Sequence, residues 1–453
     1  MKKLSSLDKA ALGIVVVLLL FFGLVLLLAA QAGVRVTTNL SGDSQIGPLA
    51  TITLKFSESV DPQLTESLLD TQPKIDGTYQ WVDPQTLQIV PIGPFDLGTV
   101  YKLTLHSGAV TQSKHKLKND KSWDFKVRTA LVVYLNTQND QSSIWAMDLK
   151  KDLSYALTDS STKVVGFDTS HDGEFIVFYS ANTKGGVDLW RVSRAGGDAA
   201  ILLDCGLDRC TAPAISPDGT RVAYSREAAG PGPDLPYGSP RVWLLDLKSG
   251  KDGPVYENQQ VLGYNPAWSP DGMRLASYDG IANQIHLLDV VSGEQLLFPS
   301  NTGGPVTWSP DSTKFLFTDA GQNQFGLRTR VRMADLDLNE TYTLIGESDD
   351  HDFSYYSLSW SPVDNNVVLG MRINSDDPAQ KFWLFDPSML DGTVIADQPN
   401  YAYNSPCWDI WGAALVFQQF KLKGAFKPEI GLWKPGFQEP LVIAEGFMPH
   451  WLP

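Results

Sequence analysis

Carboxylates and an imidazole crowd together at Asp349-Asp350-His351-Asp352, the stretch of this chain best suited by residue type to hold a cation. Loop metal sites space their ligands so that several can turn inward at once, and four consecutive residues lack that spacing. The cluster therefore reads as a solvated acidic loop. Asp335, Asp337 and Asn339 alternate like the opening of a calcium loop, but the glycine turn and the distal glutamate are missing. No metal and no cofactor is expected. The other histidines have structural readings: His106 and His115 lie in an N-terminal β-region, His171 replaces a turn proline, His286 replaces a strand tryptophan, and His450 is a packed strand residue before Trp451. A Gly-x-Ser-x-Gly elbow, His-Glu-x-x-His, a phosphate loop and a dinucleotide fingerprint are all absent. No hydrolase domain follows within the sequence, so the chain is expected not to be an enzyme.

The elements that would position any such residues are announced by a repeated phrase. Ser170-His171-Asp172-Gly173, Ser216-Pro217-Asp218-Gly219, Ser269-Pro270-Asp271-Gly272, Ser309-Pro310-Asp311-Ser312 and Ser361-Pro362-Val363-Asp364 recur at roughly 45 residues. Proline presets the first turn position and glycine accepts the left-handed conformation that follows, so the phrase is a hairpin turn. Trp268, Trp308 and Trp360 precede it, and β-branched or aromatic strands such as Arg221–Tyr224 follow. A second phrase, from Ile144-Trp145 through Val242-Trp243 and Phe382-Trp383 to Leu432-Trp433, keeps the same beat in another phase and counts seven units. The series opens at Val132 without an inner strand and closes at Trp451 with an inner strand that has no successor. Pairing the two ends removes the exposed edges of an open array. The expected architecture over 131–453 is a β-propeller of seven blades, with six as the alternative.

These repeats resemble the WD40-like, Trp-Ser-Pro-Asp-Gly propeller of the TolB family. The resemblance implies a fold more than an activity, since propellers serve binding, scaffolding and catalysis alike. Residues 35–129 alternate as a β-sandwich, with strands at Thr51–Phe56, Thr86–Val90 and Tyr101–Leu105. Ile52 to Pro62, Trp81 to Leu87, Gly98 to Tyr101 and Trp123 to Phe125 resemble the SbsA-type bacterial Ig-like domain, which implies a spacer or adhesive module. The whole chain is thus expected to be all-β behind its N-terminal helix.

That helix is Ala11 to Ala30, an apolar run long enough at about 30 Å to cross a bilayer. Lys2, Lys3 and Lys9 keep residues 1–10 cytoplasmic, so 11–31 reads as a transmembrane signal anchor and the bulk as extracytoplasmic. Cleavage after Ala32, giving a secreted protein, is the alternative. Export suits a disulfide between Cys205 and Cys210, with Cys407 a small buried apolar residue. Residues 35–128 are balanced at ten basic and ten acidic side chains, whereas the propeller holds 23 Lys plus Arg against 40 Asp plus Glu. Such acidity argues against nucleic acid.

The expected function is a membrane-anchored binding or scaffold protein of the cell envelope with a monomeric ectodomain, recognising a protein or envelope polymer. The alternative is a propeller enzyme of the lactonase or sugar dehydrogenase class. The expected contact face lies opposite the Ser-Pro-Asp-Gly turns, where the long loops carry Tyr237, Phe325, Asp349, Asp350, His351, Tyr355, Tyr356, Tyr401 and Tyr403.

Overall fold

The computed structural model describes residues 15, 16, 18, 33–40, 45–111, 116–138, 141–232, 235–258, 260–347, 351–374, 380–424 and 427–453. The expected anchor lies outside the described residues except for Val15, Val16 and Leu18, which are helical. Among the described residues no helix is long and apolar enough to cross a membrane. The chain divides into two compact units, Met1–Arg128 and Thr129–Pro453.

The first unit is a sandwich of two four-stranded sheets. One places Ile52–Phe56 between Val36–Thr38 and Thr86–Pro91; the other centres on Lys121–Val127 and Val100–Leu105. The period-two pattern of Ile52-Thr53-Leu54-Lys55-Phe56 explains the packing: Ile52, Leu54 and Phe56 are buried while Lys55 is exposed. They meet Leu87, Ile89, Leu103, Leu105 and Phe125 in one cysteine-free core. A short helix, Pro62–Glu66, starts where Asp61 accepts the Leu64 N–H at 3.1 Å.

The second unit is a propeller. Among the described residues its strands, from Leu131–Gln138 to Phe447–Leu452, form five antiparallel four-stranded sheets and one eight-stranded sheet, in which two antiparallel sets of four, 164–203 and 209–254, are joined by a parallel pairing of Val187 with Arg209. The last strand belongs to the first set: Leu452 and Trp451 sit opposite Leu131 and Val132. Arg194 fastens this closure, donating to the carbonyls of Gly173, Leu452, Pro453 and Thr129. Each Ser-Pro-Asp-Gly turn joins the inner strand of its set to the second. Ser216 Oγ donates to Asp218 Oδ1 at 2.5 Å and accepts the Arg221 N–H at 2.9 Å, while Gly219 takes φ +67°. Ser269 and Ser309 repeat the arrangement with Asp271 and Asp311. In the fourth copy Ser312 accepts a φ of +61° where the first three turns use Gly173, Gly219 and Gly272.

Candidate functional site

The inner strands share a distortion that determines what faces the ring's centre. In the strands Arg209–Ile215, Tyr264–Trp268, Phe353–Trp360, Tyr401–Trp408 and Phe447–Leu452, the register slips by one residue against the partner strand. At each slip stands a residue with positive φ: Ala212 (49°), Asn265 (51°), Ser357 (49°), Ser405 (51°) and Met448 (49°). Proline follows in four of the five, at Pro213, Pro266, Pro406 and Pro449, a residue with no N–H to miss at a bulge. The extra residue inverts the strand's alternation. Four positions apart would ordinarily mean the same face, yet Tyr403 is buried at 1 % while Cys407 is half-buried toward the centre.

In these five strands the bulge turns Ala214, Ala267, Ser359, Cys407 and His450 to the central channel, and Asp168 and Thr307 hold the matching position in the other two inner strands. All seven are half-buried, whereas Ile215, Trp268, Trp308, Trp360, Trp408 and Trp451, which follow six of them, are buried. Neighbouring sets are stitched at this level. Trp268, Trp408 and Trp451 donate their indole N–H to the carbonyls of Ala214, Ser359 and Cys407 in the preceding set, at 3.0–3.2 Å. Thr307 Oγ1 accepts the Trp360 N–H at 2.8 Å, and Asp168 Oδ2 accepts the Ile215 N–H at 2.7 Å. The tryptophans therefore fill the gaps between sets and also hold the channel residues in place.

A cavity of about 370 Å³ opens at the turn end of this channel, lined from four adjacent sets by Asp168, Ser359, Cys407, His450 and the residues around them. His450 Nδ1 stands 3.9 Å from Asp168 Oδ1, with the two side chains 34 % and 26 % exposed, and its ring lies 5.2 Å from that of Phe167. Burial among the inner strands pushes Asp168 above the ordinary carboxylate range, against the attraction of His450 and two backbone N–H bonds. Burial likewise pushes His450 down, opposed by Asp168. Both groups are driven toward their neutral forms, and such a pair can pass a proton in either direction. Burial raises the Cys407 thiol to about 11, so it is not a thiolate nucleophile at neutral pH.

These placements refine two expectations. His450 is a strand residue packed against Phe167, as expected, yet it also lines the channel cavity, and Cys407 is half-buried at the same cavity rather than sealed in the core. The remaining candidates sit elsewhere. Tyr237 donates to the Gly185 carbonyl at 3.0 Å under the Arg209 guanidinium, 3.7 Å above its ring. Tyr355 (3 % exposed) and Tyr403 (1 %) are core residues and offer nothing to a partner, because their strands extend further than the loop reading allowed. Tyr356 donates to Gln380 Oε1 at 2.9 Å, Tyr401 lies under Lys421, and Phe325 is half-buried in a hairpin turn. His351 is exposed and meets Phe353 edge-on at 5.5 Å, while Asp349 and Asp350 lie outside the described residues. Arg328 holds Asp352 below its ordinary range. Asp335 accepts the Asp337 and Leu338 N–H groups and pairs with Lys314, which makes the calcium-like stretch a turn. Cys205 and Cys210 form a disulfide with Cα atoms 6.3 Å apart. Aligning the repeats on their tryptophans would have exposed the channel column; reading each turn separately did not.

Comparison with known proteins agrees with both units. Residues 31–127 match the family described as Bacterial Ig-like domain. The propeller resembles that of a puromycin-hydrolysing peptidase from Mycobacterium tuberculosis, at 13 % identity and TM-score 0.51 over 70 % of this chain and 53 % of that one. TolB from Acinetobacter baumannii aligns at 16 % identity and TM-score 0.43, covering 72 % of this chain and 83 % of that one. A curated relative from Bacillus subtilis (strain 168), named an uncharacterized peptidase, is 32 % identical over 114 residues, or 24 % of this chain. The match spans only 17 % of that relative's length. These peptidase-named relatives overturn the expectation that the chain is not an enzyme.

Proposed function

We propose that this is an exported, membrane-attached envelope protein in which the Ig-like unit is a spacer and a closed seven-bladed propeller binds a segment of peptide or polymer at its channel mouth. The observation that carries this reading is the cavity at the turn end, where four sets converge on the Asp168–His450 pair. It moves the contact face from the long loops to the Ser-Pro-Asp-Gly side. Propeller channels concentrate side chains from many strands on one axis, and a concave site with a few convergent polar groups is where ligands bind. A larger cleft of about 810 Å³ between Glu340–Ile345 and the next set is lined mainly by apolar side chains, including Leu344, Met371 and Trp383. It lacks a comparable acid–base pair among the described residues.

The test is photo-crosslinking in the native envelope, with the reactive amino acid placed at Ser405, exposed in the inner strand, or at Leu327, exposed in the strand Gly326–Asp335 beside a hairpin turn of the opposite face. Adducts at Ser405 are expected. Adducts confined to Leu327 would return the contact face to the long loops.

Catalysis in the same cavity is a second reading, favoured by the nearness of an acid and a base, Asp168 and His450, at 3.9 Å on the cavity wall. Turnover of an oligopeptide that disappears in Asp168→Asn and His450→Gln alike would establish it; turnover unchanged in both would remove it.

A further inference from the structure

The channel mouth has a charge asymmetry that suggests what enters it. Asp168 is the carboxylate of the cavity wall, and its ion-pair partner among the described residues is His450 alone, at 3.9 Å. That imidazole is held toward its neutral form by burial. No lysine or arginine is among the described lining residues. Arg194 reaches the rim through Pro453, but its guanidinium is engaged by four backbone carbonyls. Asp168 thus meets only the dipoles of the Ile215 and Thr169 N–H groups, at 2.7 and 2.9 Å. Three indoles, Trp360, Trp408 and Trp451, line the same cavity. The propeller as a whole is acidic.

Burial pushes Asp168 toward its neutral form, and an organic cation entering this cavity of side-chain size beside the three indoles would offset that burial and hold the group as a carboxylate. A metal ion fits less well. Among the described residues no group of three His, Cys, Asp or Glu is placed to hold one, whereas an ammonium needs a single carboxylate and can direct its remaining charge at the rings.

Building on the channel-mouth reading, we propose that the bound segment inserts a protonated primary amine, a lysine side chain or a free chain terminus, which pairs with Asp168 between the tryptophans. Ser359 and Ser405, also in the wall, offer hydroxyl acceptors for the remaining N–H groups. The small residues Ala214 and Ala267 on the other side of the column leave room for the rest of the segment.

The experiment titrates the full chain in detergent with n-butylammonium and with its neutral isostere n-butanol, following the His450 imidazole signal by NMR. The amine is expected to shift that signal saturably and the alcohol to leave it unmoved. Asp168→Asn should weaken the amine by about tenfold or more, and Asp168→Glu should retain most of the binding. Equal binding of amine and alcohol overturns the proposal, as does an unaltered affinity in a folded Asp168→Asn. Ser359→Trp, which plugs the cavity, separates the two levels of argument. If it abolishes Ser405 adducts of the native ligand while the amine fails to bind the unplugged parent, the site stands and the ammonium falls. If native adducts survive the plug, the channel-mouth reading itself falls.

Discussion

Among the described residues, two aspartate–histidine pairs of the propeller have almost the same separation, Asp168–His450 at 3.9 Å and Asp279–His286 at 3.8 Å. The first borders the channel, with side chains 26 % and 34 % exposed. The second is sealed inside a blade, at 5 % and 7 %. Asp279 accepts backbone N–H groups from Leu262, Ile281 and Ala282, and His286 packs edge-on against Tyr256 at 5.6 Å. The same two residue types therefore serve a loop anchor in one place and an accessible proton-sharing site in the other. What separates them is register. Asp279 and His286 occupy the second and third strands of their set, whereas Asp168 and His450 belong to the column that the inner strands turn toward the axis.

The largest effect that would break the comparison comes from deleting Gly446–Pro453, which removes His450 and the inner strand of the first set but no residue of the sealed pair. The melting temperature is expected to fall by more than about 10 °C, because an edge opens and the Trp451 site empties. A truncated chain that melts like the intact one would show that closure does not hold the ring.

Next in size, Asp279→Ala should cost about 2 to 3 kcal/mol by leaving three part-buried N–H groups without their acceptor, as read by chemical denaturation. Asp168→Asn keeps an oxygen for one of its two N–H donors and should cost less than about 1.5 kcal/mol. Ligand adducts at Ser405 should show the reverse order. Equal stability losses would dissolve the distinction between anchor and site.

The smallest effect is a pH dependence. Burial depresses both His286 and His450, so the unfolded chain takes up their protons more readily than the folded one. Their contribution is present above the ordinary histidine value, about 6.5, and is lost as pH falls through the lower folded value. On acidification from neutrality, stability should therefore decline less steeply in His450→Gln and His286→Phe than in the parent. A parent slope identical to that of both variants would mean neither imidazole is neutral in the fold.

Much of the architecture was legible because each turn carries its own local chemistry: Ser216, Pro217, Asp218 and Gly219 specify a hairpin without reference to anything distant. The sandwich was legible for the same reason, in the alternation of Ile52, Leu54 and Phe56. The site was not. A bulge adds one residue and exchanges the faces of everything beyond it, so a period-two reading that places Tyr403 correctly must misplace Cys407. Met448 and Pro449 do the same to His450. The proline after the left-handed residue was the available sign, and it repeats in four inner strands. In the sequence Tyr355 and Tyr403 read as loop residues, because that interruption hides the continuity of their strands.

The strand that closes the ring also sets a clock. Asn136 donates its side-chain N–H to the carbonyl of Glu445, 309 residues downstream. A polypeptide emerging N-terminus first presents Leu131–Gln138 early, with one side of that strand empty until almost the whole propeller has followed. During that interval the sets can form one after another, yet none of the residues that would meet His450 has its partner. The binding site thus comes into being last, with the final strand, and a stalled or clipped intermediate would carry a nearly complete scaffold and no site at all.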